Sequence, residues 1–264
     1  MPHGFSHGIA LKKRYGQHFL RDASVTHKML MSVVLDATTS VMEIGCGDGF
    51  LTRAIIQRPC ARLWVFEIDH QWATYVRNAI PDKRLTIFEE NILDLDFAAR
   101  LSEHQPWTLL ANLPYQITFP ILRKLQENRH LFREGVIMIQ EEVAEKIMKT
   151  SGRGYGFPSL FFQRFFEWKK LDKVLPGAFY PPPKVQSRLL YFKPKLNLDP
   201  IPNEAEFWKF VKLCFRQPRR TLRNNLLQSH YVLDTLPDTI LDLRAQQMSM
   251  QDLLSVWQQI SAKI

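Results

Sequence analysis

Glu43-Ile44-Gly45-Cys46-Gly47-Asp48-Gly49-Phe50-Leu51-Thr52 follows directly on the apolar pair Val41-Met42. Residues 41–44 read as a buried strand. Glycines at alternate positions behind a strand let the backbone turn tightly and approach a ligand where any Cβ would collide. A dinucleotide site asks for a small residue at position 50, so that the following helix can pack close and present its N-terminus to a pyrophosphate. Phe50 stands there instead. The loop therefore suits a nucleoside without a diphosphate better than it suits a dinucleotide.

Working outward, further short apolar runs at 63–68, 85–88, 109–111 and 136–139 alternate with helix-like stretches. Such alternation implies β-α-β units and a parallel sheet covered on both faces. Residues 1–23 read as an N-terminal arm, with helical periodicity starting at Ser24. An aromatic, basic stretch at 157–174, a proline-rich loop at 176–183 and a strand at 187–192 come after the alternating region. Prolines at 194, 200 and 202 mark a linker. Beyond it, 204–215, 221–227, 237–243 and 250–260 carry helix-spaced apolar residues. The expected organisation is thus an arm (1–23), an α/β domain (24–194) and a smaller all-helical C-terminal domain (203–264).

Thirty-five basic against 26 acidic side chains leave a net charge of +9 over 264 residues. That balance says nothing about fold, but it predicts attraction to phosphate-rich partners, nucleic acid ahead of an anionic membrane. Cys46, Cys60 and Cys214 stand far apart, with no C-x-x-C and no histidine at ligand spacing, which argues against a disulfide scaffold or structural zinc. The histidines show no H-E-x-x-H pattern, so no metal site is expected. The start of the chain lacks the apolar core of a signal peptide, and no apolar run reaches spanning length. The expectation is a cytoplasmic protein with no membrane association.

Val65-Phe66-Glu67-Ile68-Asp69 ends the second strand with a carboxylate about twenty residues beyond the glycines, where such folds bond ribose hydroxyls. Glu67 is the better ribose acceptor, since it follows the apolar strand at once, while Asp69 also suits a helix cap. Together these features resemble the S-adenosylmethionine-dependent methyltransferase superfamily, with its Rossmann-like α/β sheet. The fourth strand ends in Asn112-Leu113-Pro114-Tyr115. A side-chain carbonyl, two backbone carbonyls in a turn and an aromatic face form a receptor for a planar base that bears an amine.

Gly16-Gln17-His18-Phe19-Leu20, the 43–52 loop, Asn112-Leu113-Pro114-Tyr115, Gln140-Glu141-Glu142-Val143-Ala144, Phe179-Tyr180-Pro181-Pro182-Pro183-Lys184-Val185-Gln186-Ser187 and Arg219-Arg220-Thr221-Leu222-Arg223-Asn224 resemble the successive signatures of the KsgA family of ribosomal RNA adenine dimethyltransferases. The resemblance implies S-adenosyl-L-methionine as cofactor and dimethylation of the exocyclic amines of two adjacent adenosines. These lie in the 3′-terminal hairpin of 16S rRNA within the small ribosomal subunit, and the modification belongs to ribosome biogenesis. Asn112 Oδ1 and the Leu113 or Pro114 carbonyl would accept from the amine, with the flipped base held between Tyr115 and, by resemblance, Phe179. Cofactor contacts fall by resemblance to His18, Leu20, Gly45, Gly47, Glu67, Asn91 and Asn112. His18 and Asn91 stand where the family usually has asparagine and aspartate, and Cys46 stands where it has proline. Glu89 or Glu90 could compensate for the charge that Asn91 lacks.

Basic residues cluster at Lys12, Lys13, Arg14 and Arg21 in the arm, around Arg153, Arg164, Lys169 and Lys170, and at Arg216, Arg219, Arg220 and Arg223 in the helical domain. The arm cluster and the helical-domain cluster are the expected contacts to the RNA backbone. The chain is expected to act as a monomer. Two alternatives remain open: an Erm-type 23S rRNA adenine methyltransferase, and a non-catalytic RNA-binding assembly factor.

Overall fold

Val41, Leu63, Val65, Leu109, Leu110, Val136 and Ile137 have no solvent exposure, as strands covered on both faces require. They belong to a seven-stranded sheet in a computed structural model that describes residues 5–12 and 15–261. Its strands are β1 (Ser40–Ile44), β2 (Arg62–Phe66), β3 (Leu85–Phe88), β4 (Trp107–Asn112), β5 (Phe132–Gln140), β6 (Phe166–Val174) and β7 (Ser187–Pro194). The spatial order is β3-β2-β1-β4-β5-β7-β6. The first five run parallel, and β7 runs antiparallel between β5 and β6. Strand order reverses between β1 and β4, and the crevice at the carboxyl ends of such a pair is where open α/β sheets bind ligands.

Helices α1 (Ala23–Met31), α2 (Phe50–Ile56), α3 (His70–Ala79), α4 (Phe97–Leu101) and α5 (Thr118–Glu127) accompany the parallel strands, and α6 (Glu141–Met148) follows β5. Asp22, Asp69 and Asp96 cap α1, α3 and α4 through their carboxylates, satisfying amides that a helix start leaves unpaired. The second strand ends at Phe66 rather than Ile68, because Glu67 turns toward the glycine loop and Asp69 already caps α3. The aromatic stretch at 157–174 divides into α7 (Phe157–Phe165) and β6.

The chain forms two compact units. One holds the sheet and takes in the chain up to Ala144 together with Phe166–Leu196; the other comprises Glu145–Phe165 and the chain from Asn197 onward. The helical unit is therefore discontinuous, a departure from the expected continuous 24–194 and 203–264 division. Its physical reason is aromatic packing: α7 lays Phe157 and Phe161 against Trp208 of α8 (Glu204–Cys214), with ring centroids 5.9 and 4.9 Å apart. The same unit contains α9 (Leu222–Leu226), α10 (Asp238–Leu241) and α11 (Met250–Ser261), where Trp257 stacks near Phe210 at 5.6 Å and donates to the Pro202 carbonyl at 2.8 Å. Among the described residues, no helix is long and apolar enough to cross a membrane.

Candidate active site

The glycine loop behind β1 uses left-handed backbone at Gly45, Gly47 and Gly49, with φ of 75°, 52° and 82°. Each glycine meets different surroundings. A Cβ on Gly45 would stand in open space. On Gly47 it would lie 2.8 Å from the Phe19 ring, and on Gly49 it would press on Val76 of α3 at 3.1 Å. Close approach is thus left to a ligand at Gly45, taken by the arm at Gly47 and used for helix packing at Gly49. The loop borders a cavity of about 240 Å³ whose other walls are arm residues 15–20, Glu67, residues 90–93 and residues 112–117.

Three acids surround the loop. Glu67 is buried; its Oε1 accepts from the Asp69 N–H at 2.8 Å and its Oε2 from the Gly47 N–H at 3.1 Å. Burial holds its carboxyl above the ordinary range. Oε2 also accepts from the Cys46 thiol at 3.7 Å, which leaves Oε1 the second lone pair for a ligand. Glu43 also lines the cavity, is completely buried, and accepts from the Thr52 hydroxyl at 2.8 Å through Oε2. Its Oε1 has no hydrogen-bond partner among the described residues. Asp48 is ion-paired with Arg21 at 2.6 Å.

The arm is tied down by chemistry that sequence reading missed. Lys12 Nζ meets Asp69 at 2.7 Å, and Gln17 Nε2 donates to the other Asp69 oxygen at 3.0 Å. Gln17 Oε1 in turn accepts from the Lys12 N–H at 2.7 Å. Phe19 packs edge-on against the buried Trp72, centroids 4.7 Å apart. The two-residue strand Phe19–Leu20 pairs antiparallel with Phe179–Tyr180.

At the end of β4, Asn112 Nδ2 donates to the His18 carbonyl at 3.3 Å. The Pro114 carbonyl accepts from the Ile117 N–H at 3.2 Å and the Thr118 hydroxyl at 3.3 Å. Tyr115 shares a hydrogen bond of 2.7 Å with the buried Ser187, and burial pushes its phenol up. Glu141, at the start of α6, is held below the ordinary carboxylate range by a two-pronged pair with Arg188 at 2.6 and 2.7 Å.

His18, Leu20, Gly45, Gly47, Glu67, Asn91, Asn112, Leu113, Pro114 and Tyr115 all border the one cavity. Phe179 does not. The residue is 4% exposed and belongs to the same core cluster as Leu20, Val25, Val174 and Leu189, because pairing with the arm strand turns it into the core. Asn91 Oδ1 accepts from the Leu93 N–H and its amide donates to Asp94. Of the two neighbouring acids, Glu90 borders the cavity but pairs with Arg100, while Glu89 pairs with His70 and Arg77 away from it. Among the expected RNA contacts, Lys12 is committed to Asp69, and Arg223 pairs with Asp238 and Asp242. Arg216, Arg219 and Arg220 are exposed. Lys13 and Arg14 lie outside the described residues.

Solved structures share this architecture. A dimethyladenosine transferase from Plasmodium falciparum matches with TM-score 0.79 at 22% identity, over 93% of this chain and 98% of that one. The 23S rRNA methyltransferase ErmE matches with TM-score 0.70 at 20% identity, over 92% and 99%. The fold they share with this chain is a Rossmann-like α/β sheet. The family model for ribosomal RNA adenine dimethylases matches residues 8–260. A protein of Chlorobium phaeobacteroides (strain DSM 266) named ribosomal RNA small subunit methyltransferase A is 38% identical, covering 96% of this chain and 92% of its own length. One of the same name from Chlorobium chlorochromatii is 36% identical over 97% and 95%. The chain belongs to the ribosomal RNA adenine dimethylase family.

Proposed function

We propose that the chain uses S-adenosyl-L-methionine to dimethylate two adjacent adenosines of the 3′-terminal hairpin of 16S rRNA, acting as a monomer on the small ribosomal subunit in the cytoplasm during ribosome biogenesis. The carrying observation is that the Asn112–Tyr115 turn and the open side of Gly45 border the same cavity. The names of the relatives support the small-subunit substrate.

The residues present fit the cofactor. Gly45 leaves room that a Cβ would fill, Glu43 keeps an unpartnered buried oxygen in the cavity wall, and Glu67 Oε1 has a lone pair for a ribose hydroxyl. Asn91 keeps a second lone pair on Oδ1 for the adenine amine, and His18 and Leu20 border that side from the arm. When bound, S-adenosyl-L-methionine supplies an electrophilic methyl group on a sulfonium leaving group.

The substrate amine is a weak nucleophile, so the chain's task is alignment. Asn112 spends its amide N–H on the His18 carbonyl, which leaves Oδ1 to accept from the target amine. Because the Pro114 carbonyl is already engaged twice, the Leu113 carbonyl is the second acceptor. Two acceptors draw the N–H bonds to one side and set the nitrogen lone pair toward the methyl carbon. As positive charge grows on nitrogen, both acceptors stabilise it more than they stabilise the substrate. Tyr115 holds one face of the flipped base. Exposed Arg216, Arg219 and Arg220 hold RNA phosphates.

The test is methyl transfer from labelled S-adenosyl-L-methionine to small subunits lacking the modification, with large-subunit RNA in parallel and nucleosides identified by mass spectrometry. N(6),N(6)-dimethyladenosine at adjacent small-subunit positions is the expected result. Label in large-subunit RNA alone would move the chain to the Erm-type reaction, and RNA binding without label would make it an assembly factor.

A further inference from the structure

We propose that Ser187 is a positioning residue for the reaction, setting through its hydroxyl the plane of the Tyr115 ring against which the target adenine lies. The proposal rests on the adenine-methylating reading of the cavity and extends it to a residue behind the cavity wall.

Alignment of an amine against carbonyl acceptors is only as sharp as the surface that carries the base. Tyr115 opens a single 3-10 turn, Tyr115–Ile117, just behind β4, and it is half-buried. A tyrosine ring turns about its χ1 and χ2 bonds, so an incompletely packed one needs another restraint to hold its plane. The structure supplies that restraint at the far end of the ring, where the Tyr115 and Ser187 hydroxyls share a hydrogen bond of 2.7 Å. Neither hydroxyl has a second hydrogen-bond partner among the described residues.

Ser187 is anchored on every side. It opens β7 with no solvent exposure, and it pairs with Gln140 of β5 on one flank and Val174 of β6 on the other. Its chain neighbours are tied to the start of α6. The Gln186 carbonyl accepts from the Glu141 N–H at 2.9 Å. The Arg188 guanidinium grips the Glu141 carboxylate at 2.6 and 2.7 Å and donates to the Leu171 carbonyl of β6 at 2.9 Å. Two-pronged pairs of this kind fix direction as well as distance. On the other side of Pro114, the Leu113 N–H donates to the Met138 carbonyl of β5 at 3.1 Å. The Leu113–Tyr115 segment thus hangs by its backbone from β5 and by its ring from the adjacent β7. One rigid frame holds both the Leu113 carbonyl that accepts from the amine and the face that carries the base.

The bond can be removed from either end. Ser187→Ala deletes it from the sheet, and Tyr115→Phe deletes it from the ring while keeping the aromatic face. Both variants and the combined one are made in the full chain. On unmodified small subunits, the single-turnover rate of the first methyl transfer and the half-saturating subunit concentration are measured beside Kd for S-adenosyl-L-methionine. Each single variant is expected to lower the rate by roughly 2- to 12-fold, the range for one hydrogen bond, with the half-saturating concentration and the cofactor Kd within about twofold of wild type. The combined variant is expected to be no slower than the slower single one, because two residues acting through one bond are not additive. Multiplied losses in the combined variant, or a Ser187→Ala defect confined to cofactor Kd, would overturn the proposal. So would a wild-type rate in Tyr115→Phe, which tests the bond even where Ser187→Ala fails to fold. A wild-type protein that forms no dimethyladenosine in the same assay would overturn the reading beneath it, whereas an active wild type with indifferent or additive variants would overturn only the role of Ser187.

Discussion

Glu43 is completely buried, and that burial pushes its carboxyl from 4.5 up to about 8 despite the hydrogen bond from Thr52. A carboxyl that holds its proton more tightly folded than unfolded makes the native state lose stability as pH rises through that window. Glu43→Gln keeps an acceptor for Thr52 and removes the titration. Thermal melts at pH 5.5 and pH 8.5 should show a steeper loss in wild type than in the variant, a difference on the order of a few kcal/mol; identical pH slopes would mean that Glu43 does not titrate in this window. Asn112 acts on chemistry rather than stability. Asn112→Ala is expected to lower kcat by roughly 100- to 1,000-fold, as losing a preorganised transition-state partner does, with the melting temperature nearly unchanged. Full turnover in that variant would remove Asn112 from the proposed mechanism.

Among the elements, the arm shows how a segment without a core of its own is held. Asp69 caps α3 and takes both Lys12 and Gln17. Asp69→Asn still caps the helix, since asparagine caps as well as aspartate, but it loses the ion pair. Limited proteolysis within the arm should accelerate, and Kd for S-adenosyl-L-methionine should rise several-fold while the rest of the chain stays resistant. An arm cut no faster than in wild type would show that Asp69 is not its anchor. Most strands of the sheet could be read from apolar runs, because strands buried on both faces carry continuous β-branched and aliphatic residues. β6 could not. Its burial alternates poorly and its solvent side carries lysines, as a sheet edge requires, so its sequence reads as a basic stretch.

For the whole molecule, a net charge of +9 sets the ionic-strength dependence of its encounter with RNA. Binding should weaken linearly in log–log terms with salt, and replacing Arg219 and Arg220 by alanine should flatten that slope by about one for each phosphate that is no longer neutralised. Lys12→Ala should change the slope little, because its charge is already spent on Asp69. Fluorescence titrations between low and moderate salt measure both. A slope unmoved by the paired arginine change would take the helical unit out of the RNA interface.

Sequence alone sufficed for the order of the strands and helices other than β6 and for the turn at Gly45, Gly47 and Gly49, since periodicity and left-handed backbone are properties of neighbours along the chain. It also placed Glu67 and Asn112 at the ends of strands, where the order reversal between β1 and β4 makes them walls of one cavity. Long-range packing is what sets Lys12 on Asp69, leaves a Glu43 oxygen without a partner among the described residues, makes Phe179 core and stacks His18 toward Tyr115. Each of these depends on partners far apart in sequence, and no local pattern records which side chains a ladder register and a sheet order bring within hydrogen-bonding reach.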